Sequence, residues 1–348
     1  TRPMRHRILL TTAVAVLLIG AGLVAIRLLG GPGSTLGEAV AMAPADAQRY
    51  TFTDWAAVRA EVGASASEGD LAELLDAGFD ADLTAASGLV DSAPLLSAEF
   101  GWSPATIDWE LLAQSPEGAV EIVSLGEVSP DAVTDRLDAL GYQRPAEDDG
   151  VWVGGTELLA GISGRTGLRA TPTLQYVAVR DGLLWAGDRQ PYLETALAGG
   201  EGPSDAVADL ADSFTESPAA AVVYTADHAC EALSMRQADD TDRATGDQLL
   251  ARAGKINPVT AFAMGLLPGG GAEALLGFEN DDQARTNADT RAVLAAGPAP
   301  GQGGDFSDRF AVDEVTAEGT LVRMVLDPEP GAFVLSDLSS GPVLFATC

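Results

Sequence analysis

The sequence predicts an α+β fold: antiparallel sheets with helices packed on one face, in repeated hairpin-then-helix units over two halves, preceded by a transmembrane helix. Three observations carry that expectation. An uncharged apolar run, Ile8 to Ile26, stands near the start of the chain. The pair Asp181-Gly182 is flanked by β-rich runs, which is the pattern of a two-residue hairpin with a type I′ turn. The order hairpin, then helix, recurs along the rest of the chain.

The apolar run comes first. At ~1.5 Å per helical residue it spans about 28 Å, close to a hydrocarbon core of roughly 30 Å. Arg27 at its end can snorkel to the headgroups. Arg2, Arg5 and Arg7 precede the run and only Arg27 closely follows it. The positive-inside rule then makes residues 1–7 a cytoplasmic basic flank, 8–29 a transmembrane anchor in the lipid bilayer, and everything after Gly30 extracytoplasmic. A cleaved signal peptide would have a shorter apolar core with a small-x-small site close behind it. The candidate sites, Ala39-Val40-Ala41 and Ala41-Met42-Ala43, lie well beyond the run.

Residues 30–35 read as a linker, and 36–198 as the first α+β half. Leu36–Ala43 makes a short helix before Pro44. Arg49–Phe52 is a strand, and Thr53 caps a helix through Val62, with Asp54 at the positive end of its dipole. Leu71–Ala77 is a helix stopped by Gly78. Ser103-Pro104 signals a helix start, and the helix is expected to run to Ala113. Ala119–Ser124 is a strand. Ser129-Pro130 opens a helix to Leu140 that puts Val133, Leu137 and Leu140 on one face and ends at Gly141. After a short strand at Val151–Val153 comes the hairpin of Leu174–Arg180 and Leu183–Ala186, then a helix from Pro191 to Ala198.

Residues 199–203, rich in glycine, form the linker to the second half, 204–348. Ala220–Thr225 is a strand. Pro258–Leu266 and Ala272–Phe278 make a second hairpin, followed by a helix over Asp281–Ala295. Phe310–Val315 and Thr320–Leu326 make a third, followed by a short helix near Pro330–Leu338 and a last strand at Val343–Thr347.

Charge bounds the partners. Of 51 acidic and 20 basic residues, none of the former and four of the latter lie in 1–30, leaving 16 basic residues against 51 acidic beyond it. Such a surface repels nucleic acid and anionic headgroups. At 47% hydrophobic the chain is too apolar for a disordered one. Cys230 and Cys348, both on the expected outer side, predict a disulfide closing a loop of well over 100 residues, in the compartment where such bonds persist.

Sites of known chemistry are sparse. His6 and His228 are the two histidines, so any Ser-His or Cys-His site outside the membrane must use His228. It lies in Asp227-His228-Ala229-Cys230, where neighbours point in different directions. Gly161-Ile162-Ser163-Gly164 lacks the last glycine of a nucleophile elbow, with Arg165 in its place. Lys255 has Arg252 three residues before it and no phosphate-loop glycine at the needed spacing. Transition metals lack ligands, whereas calcium needs only oxygens. Its candidate is Asp239, Asp240, Asp242 and Asp247; Glu147-Asp148-Asp149 and Glu279 with Asp281 and Asp282 are lesser clusters. None has calcium-loop spacing. A carboxylate pair could serve a glycosidase, but the sequence singles out no pair among so many acids. Trp55, Trp102, Trp109, Trp152 and Trp185 all fall in the first half, as core packing or as an aromatic groove.

The stretches Phe100-Gly101-Trp102-Ser103-Pro104 with Asp108-Trp109-Glu110, and Asn280 to Gly297, resemble segments of uncharacterised actinobacterial membrane-anchored ectodomain proteins. The resemblance implies an envelope location and carries no activity or site residues. The expectation that follows is a non-catalytic, membrane-anchored extracytoplasmic binding protein whose ligand is an envelope protein, lipid or polysaccharide. The alternatives are a carboxylate-based hydrolase and a calcium-stabilised structural domain.

Overall fold

The computed structural model describes residues 34–147 and 149–348. The expected basic flank and anchor at 1–29 lie outside the described residues, as does most of the 30–35 linker. Among the described residues no helix is long and apolar enough to cross a membrane. Thr35–Cys348 form one compact unit.

Among the described residues eleven strands make one antiparallel sheet. The first half supplies β1 (Arg49–Asp54), β2 (Trp109–Ser115), β3 (Gly118–Ser124), β4 (Trp152–Val153), β5 (Tyr176–Arg180) and β6 (Leu183–Gly187). The second supplies β7 (Ala220–Thr225), β8 (Ala261–Leu266), β9 (Ala272–Gly277), β10 (Phe310–Glu318) and β11 (Leu321–Pro328). The halves meet where β1 pairs β7, from Arg49 opposite Tyr224 to Thr53 opposite Ala220. Residues 199–203 therefore join two halves of one sheet. Outward from that seam the orders match, β1-β2-β3-β6-β5 on one side and β7-β8-β9-β11-β10 on the other, with β4 added beyond β5. In each half the last hairpin folds back so that its second strand pairs with the third strand.

The longer helices of the first half are α1 (Thr35–Ala41), α2 (Trp55–Val62), α3 (Leu71–Asp80), α4 (Pro130–Leu140), α5 (Gly155–Thr166) and α6 (Gln190–Leu197). Those of the second are α7 (Asp205–Ala211), α8 (Ala226–Ala232), α9 (Asp240–Ala253), α10 (Asp281–Ala295) and α11 (Val334–Leu338). Most of them cover one face, where Val58 of α2, Leu74 of α3, Val133 of α4, Ile162 of α5, Leu294 of α10 and Leu335 of α11 pack with Val123, Val222, Phe262 and Met264 of the sheet. The other face is covered as well. There Leu36 and Val40 of α1, Leu193 of α6 and Val207 of α7 pack on Tyr50, Phe52, Leu111, Ile122 and Val223. This departs from the expectation of one covered face. The cause is local: every residue of β8 and β9 is buried, and β8, apolar on both sides, needs cover on both.

Several elements form where the sequence puts them. Asp181 and Gly182 have φ of 51° and 78°, as a type I′ turn requires. Pro130 opens α4, and Gly141 at φ 97° ends it. The bounds of α10 are as expected, with the Asn280 side chain accepting from the Gln283 amide at its N-terminus. Other elements differ. The Ser103-Pro104 segment is a turn, with the Thr106 and Ile107 amides bonded to the Ser103 carbonyl. The chain then extends into β2 between β1 and β3, where two ladders outweigh a local helix start. The expected strand at 343–347 is a 3₁₀ turn, Leu344–Ala346. Its neighbouring carbonyls go to a side chain, Arg291, whose NH1 donates to Phe345 at 2.6 Å and Thr347 at 2.9 Å.

Cys230 and Cys348 are disulfide-bonded, with Cα atoms 5.3 Å apart across 118 residues of sequence. The bond ties α8 to the end of the chain.

Candidate functional site

The expected calcium cluster is the start of a helix. Asp239 Oδ1 accepts the amides of Thr241 and Asp242, both at 2.9 Å, and caps α9. Asp240 lies 3.4 Å from Arg243. Asp240 and Asp242 occupy the first turn, where the helix dipole favours negative charge. Asp247 falls further along the same helix. Among the described residues no group of three or more His, Cys, Asp or Glu side chains is arranged to hold a metal ion. Cys230 is held in the disulfide. His228 packs edge-on against the Tyr224 ring at 4.8 Å; burial and the nearby Arg49 lower its pKa, against Glu231. Trp55 and Trp102 are fully buried core residues; Trp152 belongs to the same core but also borders a cleft of about 350 Å³, with Arg144 4.9 Å over its ring.

What the fold does assemble is a cleft of about 410 Å³ at the end of α3. Phe79, Asp82, Ser87, Gly88, Val90 and Ser336 are among the residues that line it. Phe79 is 61% exposed, and its ring stands 5.4 Å from that of Phe333. Asp82 holds the two sides of the cleft together across the chain. Its carboxylate accepts the Leu335 amide at 2.6 Å, the Ser336 amide at 3.3 Å and the Ser336 hydroxyl. It thus caps α11 from a backbone conformation of φ 60°. Burial raises its pKa, and the three bonds from Ser336 and Leu335 oppose that. Asp91, on the rim, pairs with Arg169 at 3.2 Å in the open.

Residues 84–90 form one wall of this cleft, and behind the wall lies a pair of buried carboxyls. Glu110 of β2 and Glu121 of β3 are 0% and 1% exposed. Glu110 sits opposite Val123 and Glu121 opposite Leu112, so the two acids are diagonal neighbours on one face, within reach of long side chains. The Gly88 amide, in the wall, donates to Glu110 Oε1 at 2.9 Å. A Cβ at position 88 would meet Glu121 Oε2 at 2.7 Å, so glycine is what lets the wall rest on that carboxyl. Glu110 Oε2, both oxygens of Glu121 and the Thr53 hydroxyl opposite Glu110 have no hydrogen-bond partner.

Burial pushes the pKa of Glu110 up to about 7, although Ser87, Trp55 and the Gly88 and Leu89 amides favour its charged form. Trp55 Nε1 stands nearby without completing a hydrogen bond. Burial, then the charge of Glu110, pushes Glu121 well above the usual carboxylate range. Burial of that kind disfavours the charged form of the carboxyl.

Sequence reasoning missed both acids. Glu121 lies in a stretch read as a strand, and a lone acid between apolar residues on a doubly covered strand was the available signal. Glu110 was hidden by the helix expected over 103–113.

No family model matches this chain, and no curated protein matches it. Among solved structures, crystal form III of TP0453 is similar with a TM-score of 0.38 at 10% identity, over 86% of this chain and 97% of that one. At that level the likeness informs neither fold nor function.

Proposed function

We propose that this chain is a membrane-anchored extracytoplasmic binding protein of the cell envelope. Residues 8–29 hold it to the bilayer, and the cleft beside α3 takes an apolar group of its ligand. The observation that carries the reading is Phe79, a large apolar side chain left 61% exposed in the lining of a concave site. An exposed phenyl in a cleft is surface that a ligand can remove from water. The Ser87 and Ser336 hydroxyls supply the polar groups that orient an occupant. The disulfide supports the outer location, because such bonds persist in oxidising compartments. The excess of acids favours a neutral or cationic ligand over an anionic one.

The test is titration of the chain with the neutral apolar dye N-phenyl-1-naphthylamine. Fluorescence is expected to saturate, and Phe79→Ala to weaken binding by roughly tenfold, the equivalent of ~1.4 kcal/mol from covering part of a phenyl ring. A signal that never saturates, or equal affinity in the variant, refutes the cleft as the binding site.

A further inference from the structure

The orphaned oxygens behind the cleft wall call for a proton. Two fully ionised carboxylates, buried side by side with three of four oxygens unpartnered, would repel each other in a medium that solvates neither. One proton resolves most of this. A Glu121 hydroxyl donating to Glu110 Oε2 satisfies both atoms and leaves Glu110 Oε1 as the charged acceptor of the Gly88 amide. The groups around the pair fit that assignment. Thr53 of β1 faces Glu110 in the sheet, and Ala186 of β6 lies opposite Glu121. Trp55 of α2 and Ser87, Gly88 and Leu89 of the wall act on Glu110, and Glu110 itself acts on Glu121; no cation stands among them. The wall's flanking acids are engaged elsewhere, Asp82 by Ser336 and Asp91 by Arg169.

We propose that Glu110 and Glu121 bind one proton between them and so latch the 84–90 wall of the cleft, which is released when that proton leaves. The geometry makes the coupling direct. The wall is bonded to one carboxyl through Gly88 and rests on the other, so a second buried negative charge can be hydrated only if residues 84–90 move. Loss of the proton breaks the Glu121–Glu110 hydrogen bond, transfers H⁺ to solvent and leaves two carboxylates under a lifted wall. The role of the cleft as a ligand site rests on the function proposed above; the latch itself does not.

Hydrogen exchange of the full chain in nanodiscs, read in peptides covering 84–90 between about pH 6 and about pH 9, tests this without any ligand. After correction for intrinsic exchange, the opening constant of the wall is expected to rise roughly tenfold per pH unit once the proton starts to leave, the slope for one proton. Glu121→Gln keeps the donor to Glu110 but cannot ionise, and its wall is expected to stay closed across the range. A flat wild-type profile, or the same slope in Glu121→Gln, overturns the proposal. Should the variant fail to fold, infrared spectra of the wild-type chain decide: a carboxylic-acid C=O band present at neutral pH and lost in step with wall opening supports the latch, and its absence at neutral pH overturns it. A pH-dependent wall in a chain that binds no dye would sink the ligand-site reading and leave the latch standing.

Discussion

Reduction of Cys230–Cys348 is expected to lower stability by about 5 kcal/mol without dismantling the native fold. The bond spans 118 residues, and the loop-closure entropy removed from the unfolded chain is about 16 cal/mol/K for a loop of that size, or ~5 kcal/mol at 25 °C. At ~2.1 cal/mol/K of unfolding entropy per residue, the unit Thr35–Cys348 has a melting entropy of roughly 0.65 kcal/mol/K, so Tm should fall by about 7 °C. The native arrangement should survive, because other bonds hold the tail. Arg291 grips the Phe345 and Thr347 carbonyls, and the Val343 amide donates to Leu233 at 3.0 Å. The assay is thermal unfolding with and without reductant, beside Cys230→Ser/Cys348→Ser, with near-ultraviolet circular dichroism below the transition. A Tm unmoved by reductant would mean that the loop argument fails. Loss of the near-ultraviolet signal on reduction at 25 °C would mean that Arg291 does not hold the tail.

Arg291 itself is fully buried, and besides those two carbonyls it donates to Asn287 Oδ1 at 3.0 Å and the Asn257 carbonyl at 2.7 Å. Arg291→Met orphans buried acceptors and should cost about 3–5 kcal/mol, read as a lower denaturation midpoint with raised hydrogen exchange at 343–348; a cost under ~1 kcal/mol would contradict the clamp. Asp239→Ala removes the cap of α9 and should cost about 1 kcal/mol, equally in calcium and in chelator; a loss confined to calcium would instead support a calcium site at Asp239–Asp247. Stability should also fall with rising pH. Glu110 takes a second proton, beside the one the pair shares, below about 7 in the fold but only below ~4.3 unfolded. Its contribution is therefore complete below the lower value and lost as pH rises through the higher, on the order of 3 kcal/mol in all. Glu110→Gln should flatten that window in pH-dependent melts, and an unchanged slope would remove Glu110 from the account.

Much of the fold was legible because local chemistry decided it. Asp181-Gly182 needs two positive φ values, and only a type I′ hairpin uses both. Pro130 with Gly141, and Asn280 before Asp281, mark helix ends by caps that no partner strand overrides. The misread elements are those that tertiary contacts decide. Trp109–Ser115 carries a helix signal ahead of it, yet it lies between two partner strands that no local pattern announces. The 343–347 segment looks like a strand, but the ladder it lacks is replaced by a guanidinium from α10. The acidic stretch at 239–247 has the composition of a cation site and the position of a helix start, and composition alone cannot separate the two. The Cys230–Cys348 pairing followed from there being two cysteines. The cleft and the carboxyl pair did not follow from anything local, because they join residues from β2, β3, the 84–90 segment and α11.

The doubled sheet supplies an independent reason to treat Glu110 and Glu121 as more than a tolerated flaw. Counting outward from the midpoint of the central ladder, Thr51 opposite Val222, the registers of the two halves keep step. Asp54 ends β1 and caps α2 just where Thr225 ends β7 and precedes α8. By the same count Glu110 of β2 corresponds to Phe262 of β8, and Glu121 of β3 to Ala274 of β9. Both second-half residues are buried in the core on the same face. The architecture can thus be built with apolar residues at both positions, and in one half it is. Burying two carboxyls instead costs stability that an apolar pair would not, and the first half carries that cost at the positions that touch the wall of a cleft. The fold alone does not ask for acids there, which is why a role for the proton they share is the simpler account of their presence.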